Sequence, residues 1–112
     1  MYLITAIIRP ERLDAAREAL QAAGVAGLTV SEAAGFGRQR GHVQVYRGAE
    51  YAVDLLPKVR LEVLAEDTTA PGLVDVLVAA ANTGHAGDGK VWLHRLDDVV
   101  RVSTGERGPG AV

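Results

Sequence analysis

The spacing of hydrophobic residues changes several times along the chain, and each change marks a new predicted element. Tyr2 to Ile8 is an apolar run containing several β-branched residues, which predicts a strand. Pro10 ends this run, because the residue before a proline is pushed toward extended geometry and away from helix. Apolar residues then recur at three- and four-residue spacing from Glu11 to Ala23, which predicts an amphipathic helix that Gly24 can end.

The rest of the chain predicts a hairpin, a helix and a last strand. Leu28 to Ala34 begins with apolar and polar residues in alternation, and Lys58 to Ala65 alternates throughout, as expected of half-buried partner strands. Thr68 to Pro71 offers capping hydroxyls and a proline suited to a first helical turn, and the helix that follows stops at 82–84. Val91 to His94 begins a fourth strand.

This order predicts an α+β domain of the ferredoxin-like βαββαβ type, spanning residues 1–112, with two helices on one face of an antiparallel sheet. Val99 to Val102 is expected to add a short strand, and the glycine- and proline-containing segment 105–112 to form a mobile tail. The bare face of the sheet needs cover, so we expect an oligomer.

Composition narrows the functional classes. The chain has no cysteine, which excludes disulfides and thiol catalysis, and its net charge of -2 does not favour nucleic acid. No basic segment precedes the short apolar run at the N-terminus, so neither a signal peptide nor a membrane span is expected. We therefore expect a cytoplasmic protein.

A polar, glycine-interrupted stretch from Gly35 to Pro57 separates the two middle strands. A loop of roughly twenty residues, about 37–55 at its core, far exceeds an ordinary hairpin connection and is typical of a functional segment. Arginines, tyrosines and glutamines lie among its glycines. The stretch therefore predicts a docking or switching arm.

A second glycine-rich segment, Gly84 to Lys90, reads GHAGDGK. The spacing is that of a P-loop, but Val91 stands where a P-loop has the hydroxyl that binds magnesium, and a strand follows instead of a helix. An ordinary P-loop enzyme is therefore rejected. Two interpretations remain, namely a turn whose backbone N–H groups bind an anion beside Lys90, and a simple turn.

The remaining charged residues carry weaker signals. The three histidines are not spaced from carboxylates as the ligands of a metal site would be. No pattern of serine, histidine and acid suggests nucleophilic catalysis. Each cation taken alone is most simply a solvated surface charge. The further candidates for anion contacts are Arg38, Arg40, Lys58, Arg60 and Arg101.

Two segments carry a family resemblance. GFGRQRGHVQVYRGAEY at Gly35 to Tyr51 and TGHAGDGKVW at Thr83 to Trp92 resemble the two signature segments of the PII nitrogen-regulatory signalling proteins. Leu56 to Val59, the Ile-Arg-Pro near the start and the region from Arg101 to Glu106 extend the similarity along the whole chain. Long motifs in the right order and separation make the resemblance specific.

The resemblance implies a ferredoxin-like homotrimer with nucleotide sites between subunits, where ATP and ADP compete. Gly87 to Lys90 would hold the phosphates with two arginines, while Thr29, Glu62 and Leu64 would border the base and ribose. The nucleotide-binding residues implied in this way are Thr29, Gly37, Arg38, Glu62, Leu64, Gly87, Asp88, Gly89, Lys90 and Arg101.

The resemblance also implies an effector site. Gln39 would help hold the magnesium of MgATP, and that metal would receive 2-oxoglutarate, whose distal carboxylate pairs with Lys58. The 2-oxoglutarate-binding residues implied are Gln39, Arg40, Gly41, Lys58 and Gly87.

The long loop would then be the output of a non-enzymatic sensor. Its arm from Gly41 to Val53 would change course with the ligand bound. Arg47 would contact an ammonium channel, through which alone the protein would reach the membrane. Tyr51 would be uridylylated or adenylylated by a nucleotidyltransferase. Nitrogen-metabolism enzymes or regulators are the further partners implied.

Some positions depart from the family pattern. Ser103 replaces an arginine found in many members, and His85 and Leu3 stand where lysines are common. These changes bear on nucleotide affinity. Two alternatives therefore stay open at this point, a divergent PII paralogue with another ligand, and a small ferredoxin-like enzyme that acts on a phosphoanhydride with Lys90 and Arg101 as stabilising cations.

Overall fold

The computed structural model describes residues 1–37, 43–46, 49–52 and 55–112, the two short inner ranges by their backbone pairing alone. Eight helices and strands follow one another within these ranges. They are β1 (Tyr2–Ile8), α1 (Leu13–Ala22), β2 (Thr29–Gly35), β3 (Val43–Tyr46), β4 (Ala49–Ala52), β5 (Leu56–Ala65), α2 (Ala70–Ala81) and β6 (Gly89–Arg95).

Four of the strands form one antiparallel sheet in the order β2-β5-β1-β6. β1 lies between β5 and β6, with Ile4 opposite Val63 on one side and Leu93 on the other. Each helix connects a central strand to an edge strand or the reverse. The α+β, ferredoxin-like βαββαβ arrangement expected from the sequence is confirmed.

The hydrophobic core lies between one face of this sheet and the two helices. Alternate residues of β1 and β5 point to the same face, because side chains alternate along a strand. Ile4 and Leu61 from the strands, and Leu20 and Leu77 from the helices, are at most 1% exposed. Burial of each such side chain contributes about 1.5 to 3 kcal/mol, so this core holds the helices on the sheet.

The first helix begins later than the sequence pattern predicts. Pro10–Arg12 forms a 3-10 turn, and the α-helix starts at Leu13 instead of Glu11. The Arg12 guanidinium donates hydrogen bonds to the carbonyl of Ala80, with Nε at 2.9 Å, and so ties the start of α1 to the end of α2. Proline at the first position of the turn explains the tighter start.

The structure adds detail to three irregular segments. The long loop of about 37–55 includes the antiparallel hairpin of β3 and β4. The further strand expected at Val99 to Val102 is wrong, since only a single bridge joins Val100 to Arg107. The tail expected to be mobile contains a 3-10 helix, Gly108–Ala111, whose Ala111 is buried.

The other face of the sheet carries no helix among the described residues. Register places Glu62, Thr5 and Trp92 side by side across three strands on this face. Thr5 is 2% exposed, whereas Trp92 is 37% and Leu64 43% exposed. Partly exposed apolar side chains on an uncovered sheet face are suited to contact another subunit, and the homotrimer stays a prediction for a structure of one chain.

Candidate functional site

The glycine-rich segment joins the end of α2 to the start of β6 in a conformation that requires glycine. Gly84, Gly87 and Gly89 have φ angles of 83°, 97° and 106°, which side chains other than hydrogen rarely allow. Gly89 also lies against β1, where a Cβ atom would stand 1.7 Å from the carbonyl oxygen of Ile7. Only glycine therefore fits at this point of the turn.

The carboxylate of Asp88 organises the turn from inside. It accepts hydrogen bonds from the backbone N–H of Thr83 at 2.7 Å and of Gly84 at 3.0 Å, and from the Thr83 hydroxyl. The Arg9 guanidinium adds a charged hydrogen bond from Nε at 2.9 Å. The bonds from Thr83, followed by that from Arg9, hold the pKa of Asp88 well below its usual range.

Two cations hold the backbone of the same turn. A terminal nitrogen of Arg9 donates to the carbonyl of Ala86 at 2.7 Å, and the Lys58 ammonium donates to the carbonyl of Gly87 at 2.8 Å. Burial, and then the nearby charge of Arg9, lower the pKa of Lys58. The Asp88 carboxylate is already occupied by donors, so any contact from this residue to an anion would come from its backbone N–H.

A cavity of about 630 Å³ opens at this turn, and we call it the turn cavity. It brings together six of the residues predicted to bind nucleotide or 2-oxoglutarate, with a hydrophobic rim from neighbouring strands. Its lining consists of Ile7, Gly35, Phe36, Gly37, Leu56, Lys58, His85, Ala86, Gly87, Asp88, Gly89, Lys90 and Trp92.

A second cavity, of about 660 Å³, lies where α1 leads into β2, and we call it the α1–β2 cavity. It contains Thr29, Glu62 and Leu64, the three residues predicted to border the base and ribose. Thr29 and Glu62 are direct partners across β2 and β5. The rest of the lining is Ala23–Leu28, Ala65, Glu66, Thr69, Leu73 and Val112.

The two cavities are separate within one chain and share no lining residue. β5 touches both, with Lys58 at one and Leu64 at the other. At about 3.3 Å per residue these positions are roughly 20 Å apart along the strand. A single chain therefore does not bring the predicted phosphate-binding residues against the predicted base-binding residues.

The remaining predicted site residues lie elsewhere. Arg101 lines neither cavity and instead contacts its own neighbourhood, with a guanidinium nitrogen 3.9 Å from the Glu106 carboxylate and another donating to the carbonyl of Gly110 at 3.3 Å. Tyr51 is in β4, and its side chain is outside the description. The predicted residues that lie outside the described ranges are Arg38, Gln39, Arg40, Gly41 and Arg47.

Sequence reasoning did not assign roles to Arg9 and Thr83, which the structure places in the turn's hydrogen-bond network. Arg9 is 79 positions from Asp88, so no local spacing connects them. The signal that could have found the pair is the strand order itself. Pairing of β1 with β6 puts Ile8 opposite Gly89, and Arg9 then lies beside the turn.

Comparison with known proteins agrees with the ferredoxin-like fold and with the family resemblance of the long loop and the glycine-rich turn. The family model described as nitrogen regulatory protein P-II matches residues 1–106. The chain belongs to the P-II family. Among its relatives, the nitrogen regulatory protein P-II of Mesorhizobium japonicum is 53% identical and that of Azospirillum brasilense 50%, each over the full 112 residues of both chains.

The similarity extends to a relative from Escherichia coli, named nitrogen regulatory protein P-II 1, which is 47% identical over the full length of both chains. These relatives are named as regulatory proteins. Within the described residues, no helix has the length and apolar character needed to cross a bilayer.

Proposed function

We propose that this P-II family member is a cytoplasmic, trimeric, non-enzymatic sensor. It binds ATP or ADP, and with MgATP it binds 2-oxoglutarate. It reports on both through the long loop, about residues 37–55. The partners in this proposal are an ammonium channel, nitrogen-metabolism enzymes or regulators, and a nucleotidyltransferase that modifies Tyr51.

The separation of the two cavities is the observation that carries the proposal. A nucleotide has a base with ribose at one end and phosphates at the other, and the predicted contacts for these ends lie roughly 20 Å apart in one chain. A cyclic trimer has head-to-tail interfaces, which join different surfaces of neighbouring subunits. The turn cavity of one subunit and the α1–β2 cavity of the next would then form one nucleotide site.

The chemistry of the turn cavity supports phosphate as its ligand. Backbone N–H groups in a glycine-rich turn form an anion-binding concavity. Lys90 leads from the turn into β6 and is exposed, so its ammonium is free to approach an incoming anion. Charge-assisted hydrogen bonds to phosphate oxygens are roughly twice as strong as neutral ones.

The position of Lys58 supports 2-oxoglutarate as the effector. Its ammonium lines the same cavity as the turn, and a dicarboxylate that chelates the magnesium of MgATP through one end would present its other carboxylate to this cation. Magnesium favours oxygen ligands of this kind. Gln39 would complete the metal's surroundings and draw the start of the loop toward the ligand.

The loop would respond because ADP and MgATP with 2-oxoglutarate make different contacts at its base. A ligand shifts an equilibrium only by its differential affinity for the two states. Gly35, Phe36 and Gly37 line the turn cavity at the point where the loop begins. An effector held there would bias the course of the arm that carries Arg47 and Tyr51.

Titration calorimetry on the purified protein tests this proposal. We expect ATP and ADP to bind competitively, and 2-oxoglutarate to bind only when MgATP is present. Sedimentation analysis should show a trimer. Absence of 2-oxoglutarate binding in saturating MgATP would contradict the proposed 2-oxoglutarate sensing. Absence of any adenine nucleotide binding would contradict the proposal as a whole.

A further inference from the structure

We propose that Arg9 and Asp88 form a clasp that positions the backbone donors of the glycine turn, so that Arg9 sets nucleotide affinity without itself contacting the nucleotide. The inference rests on the proposed function, because it takes a nucleotide phosphate as the ligand of the turn. Arg9 would be a positioning residue and not a binding residue.

The clasp joins three elements at one point. Arg9 directly follows β1, Thr83 and Gly84 follow α2, and Asp88 directly precedes β6. The Asp88 carboxylate receives Arg9 from one side and the two backbone N–H groups from the other. Breaking the pair would therefore release the turn from β1 and loosen its start at the end of α2.

The orientation of the peptide units gives the clasp its consequence for binding. In a trans peptide the carbonyl and the N–H of one unit point in opposite directions, and the described residues contain no cis peptide. Arg9 holds the carbonyl of Ala86, and Lys58 holds the carbonyl of Gly87. The N–H groups of Gly87 and Asp88, which belong to the same peptide units as these carbonyls, must then point away from the two cations.

The pair is sheltered enough to hold a geometry. The side chains of Arg9 and Asp88 are 15% and 19% exposed, which reduces the solvent screening that weakens surface pairs. Arginine also suits the task better than lysine, because its planar fork reaches the carboxylate and the Ala86 carbonyl together. A lysine ammonium would keep the charge without this fixed two-point contact.

An Asp88→Asn variant distinguishes the clasp from a simple electrostatic effect, because the two explanations predict opposite changes in ATP affinity. The substitution removes a negative charge beside a site for a polyanion, so charge alone predicts tighter ATP binding. In the clasp, an amide N–H₂ group would replace the carboxylate oxygen that accepts from the backbone N–H groups of Thr83 and Gly84 and would face those two donors, since only one amide oxygen remains to accept. The turn would lose its arrangement, and we expect ATP binding to weaken.

The experiment is calorimetric titration of ATP, without 2-oxoglutarate, into wild type, Arg9→Gln, Arg9→Lys and Asp88→Asn. We expect each variant to weaken ATP binding by about tenfold, as loss of a charge-assisted hydrogen bond implies. The double variant Arg9→Gln with Asp88→Asn should bind about as weakly as the weaker single variant, because both substitutions break one unit.

Arg12→Gln is the matched control for stability. Arg12 is three positions further on and ties the start of α1 to α2, through hydrogen bonds to the Ala80 carbonyl and not to the turn. Urea unfolding should show a comparable loss of stability for Arg9→Gln and Arg12→Gln, whereas ATP affinity should fall only for Arg9→Gln. Titrations are run where the unfolding curves show every variant folded, and Arg9→Lys serves if Arg9→Gln does not fold.

Several results would overturn the clasp. Wild-type affinity in Arg9→Lys would mean that charge alone matters, and tighter binding in Asp88→Asn would mean the same. Losses that multiply in the double variant would mean that the two residues act separately. Failure of the wild-type protein to bind ATP is a different outcome, since it would contradict the proposed function itself.

Discussion

The turn cavity and the α1–β2 cavity are nearly equal in volume but opposite in chemistry. The turn cavity has Lys58 and Lys90 in its lining, with Arg9 behind the turn. The α1–β2 cavity has Glu62 and Glu66 beside apolar side chains. Anions suit the first and donor groups on a flat, partly apolar molecule suit the second, so under the proposed function each chain would carry two unlike halves of the site.

The cavities also differ in how tightly the backbone is held. Gly89, in the turn cavity, has no room for a Cβ atom, whereas Gly27, in the α1–β2 cavity, has no atom within 4 Å of where its Cβ would be. The turn is fixed by close packing and ion pairs, and the entry to β2 is open. Substitutions at the closely packed and ion-paired positions of the turn should therefore affect folding as well as binding, while those at the exposed positions of the α1–β2 cavity should affect binding alone.

The largest expected effect is that of Gly89→Ala. The new Cβ would meet the Ile7 carbonyl at 1.7 Å in a backbone conformation of φ 106°, so β1 and β6 would have to separate there. We expect a loss of at least about 2 kcal/mol in the free energy of unfolding. Urea unfolding followed by circular dichroism measures it.

Gly27→Ala is the matched control in the other cavity. With open space at its Cβ position and no positive φ, it should change stability by no more than about 0.5 kcal/mol. Equal destabilisation by the two alanine substitutions would contradict the difference in backbone packing between the cavities.

Lys90→Ala should have the next largest effect, on binding. Loss of the exposed cation next to the turn should weaken ATP binding by about a hundredfold, the upper range for a hydrogen bond to a charged group. The stability of this variant should stay near that of wild type because the Lys90 side chain is exposed. Unchanged ATP affinity in a calorimetric titration would remove the glycine turn from the site.

Leu64→Arg tests the α1–β2 cavity. Leu64 is 43% exposed, so the longer side chain can be accommodated without unfolding the domain, but it would fill the space assigned to the base. We expect about tenfold weaker binding of both ATP and ADP, as a lost apolar contact and steric competition imply. A variant that still folds and binds both nucleotides normally would exclude this cavity from the site.

The smallest effect concerns pH. The hydrogen bonds to Asp88 lower its pKa in the folded state, so they stabilise the fold fully above the unfolded-state pKa of 3.8. That contribution is lost progressively as the pH falls from this value toward the lower folded-state pKa. The stability difference between wild type and Asp88→Asn should thus be constant near neutral pH and shrink below pH 3.8 in urea unfolding. A difference that grows on acidification would contradict the assignment.

The sequence predicted the regular elements well because their signals are local. Alternation along β5, helical spacing in α2 and the glycine spacing of the turn each depend on neighbours within a few positions. The 3-10 turn at Pro10–Arg12 and the bridge of Val100 with Arg107 were missed because they depend on contacts and tight geometry that periodicity does not encode.

The site was predictable only in part, for a related reason. The resemblance named Gly87 to Lys90 as a group, and the structure does place them in one cavity with Lys58. It did not reveal that the Asp88 side chain is occupied by Arg9 and Thr83, since strand pairing across 79 positions creates that contact. Nor can one sequence show that the residues predicted to bind phosphate and those predicted to border the base lie in different cavities, because this follows from the sheet's geometry.

Subunit complementation tests the central claim most directly. Lys90→Ala breaks the turn cavity and Leu64→Arg breaks the α1–β2 cavity, so neither variant alone should have ATP sites of wild-type affinity. In trimers randomly reassembled from equal amounts of both, about a quarter of the interfaces would pair two intact halves, and calorimetry should show about that fraction of wild-type sites. If subunit exchange is verified by native mass spectrometry and no ATP site of wild-type affinity returns, the claim that neighbouring chains build each site is wrong.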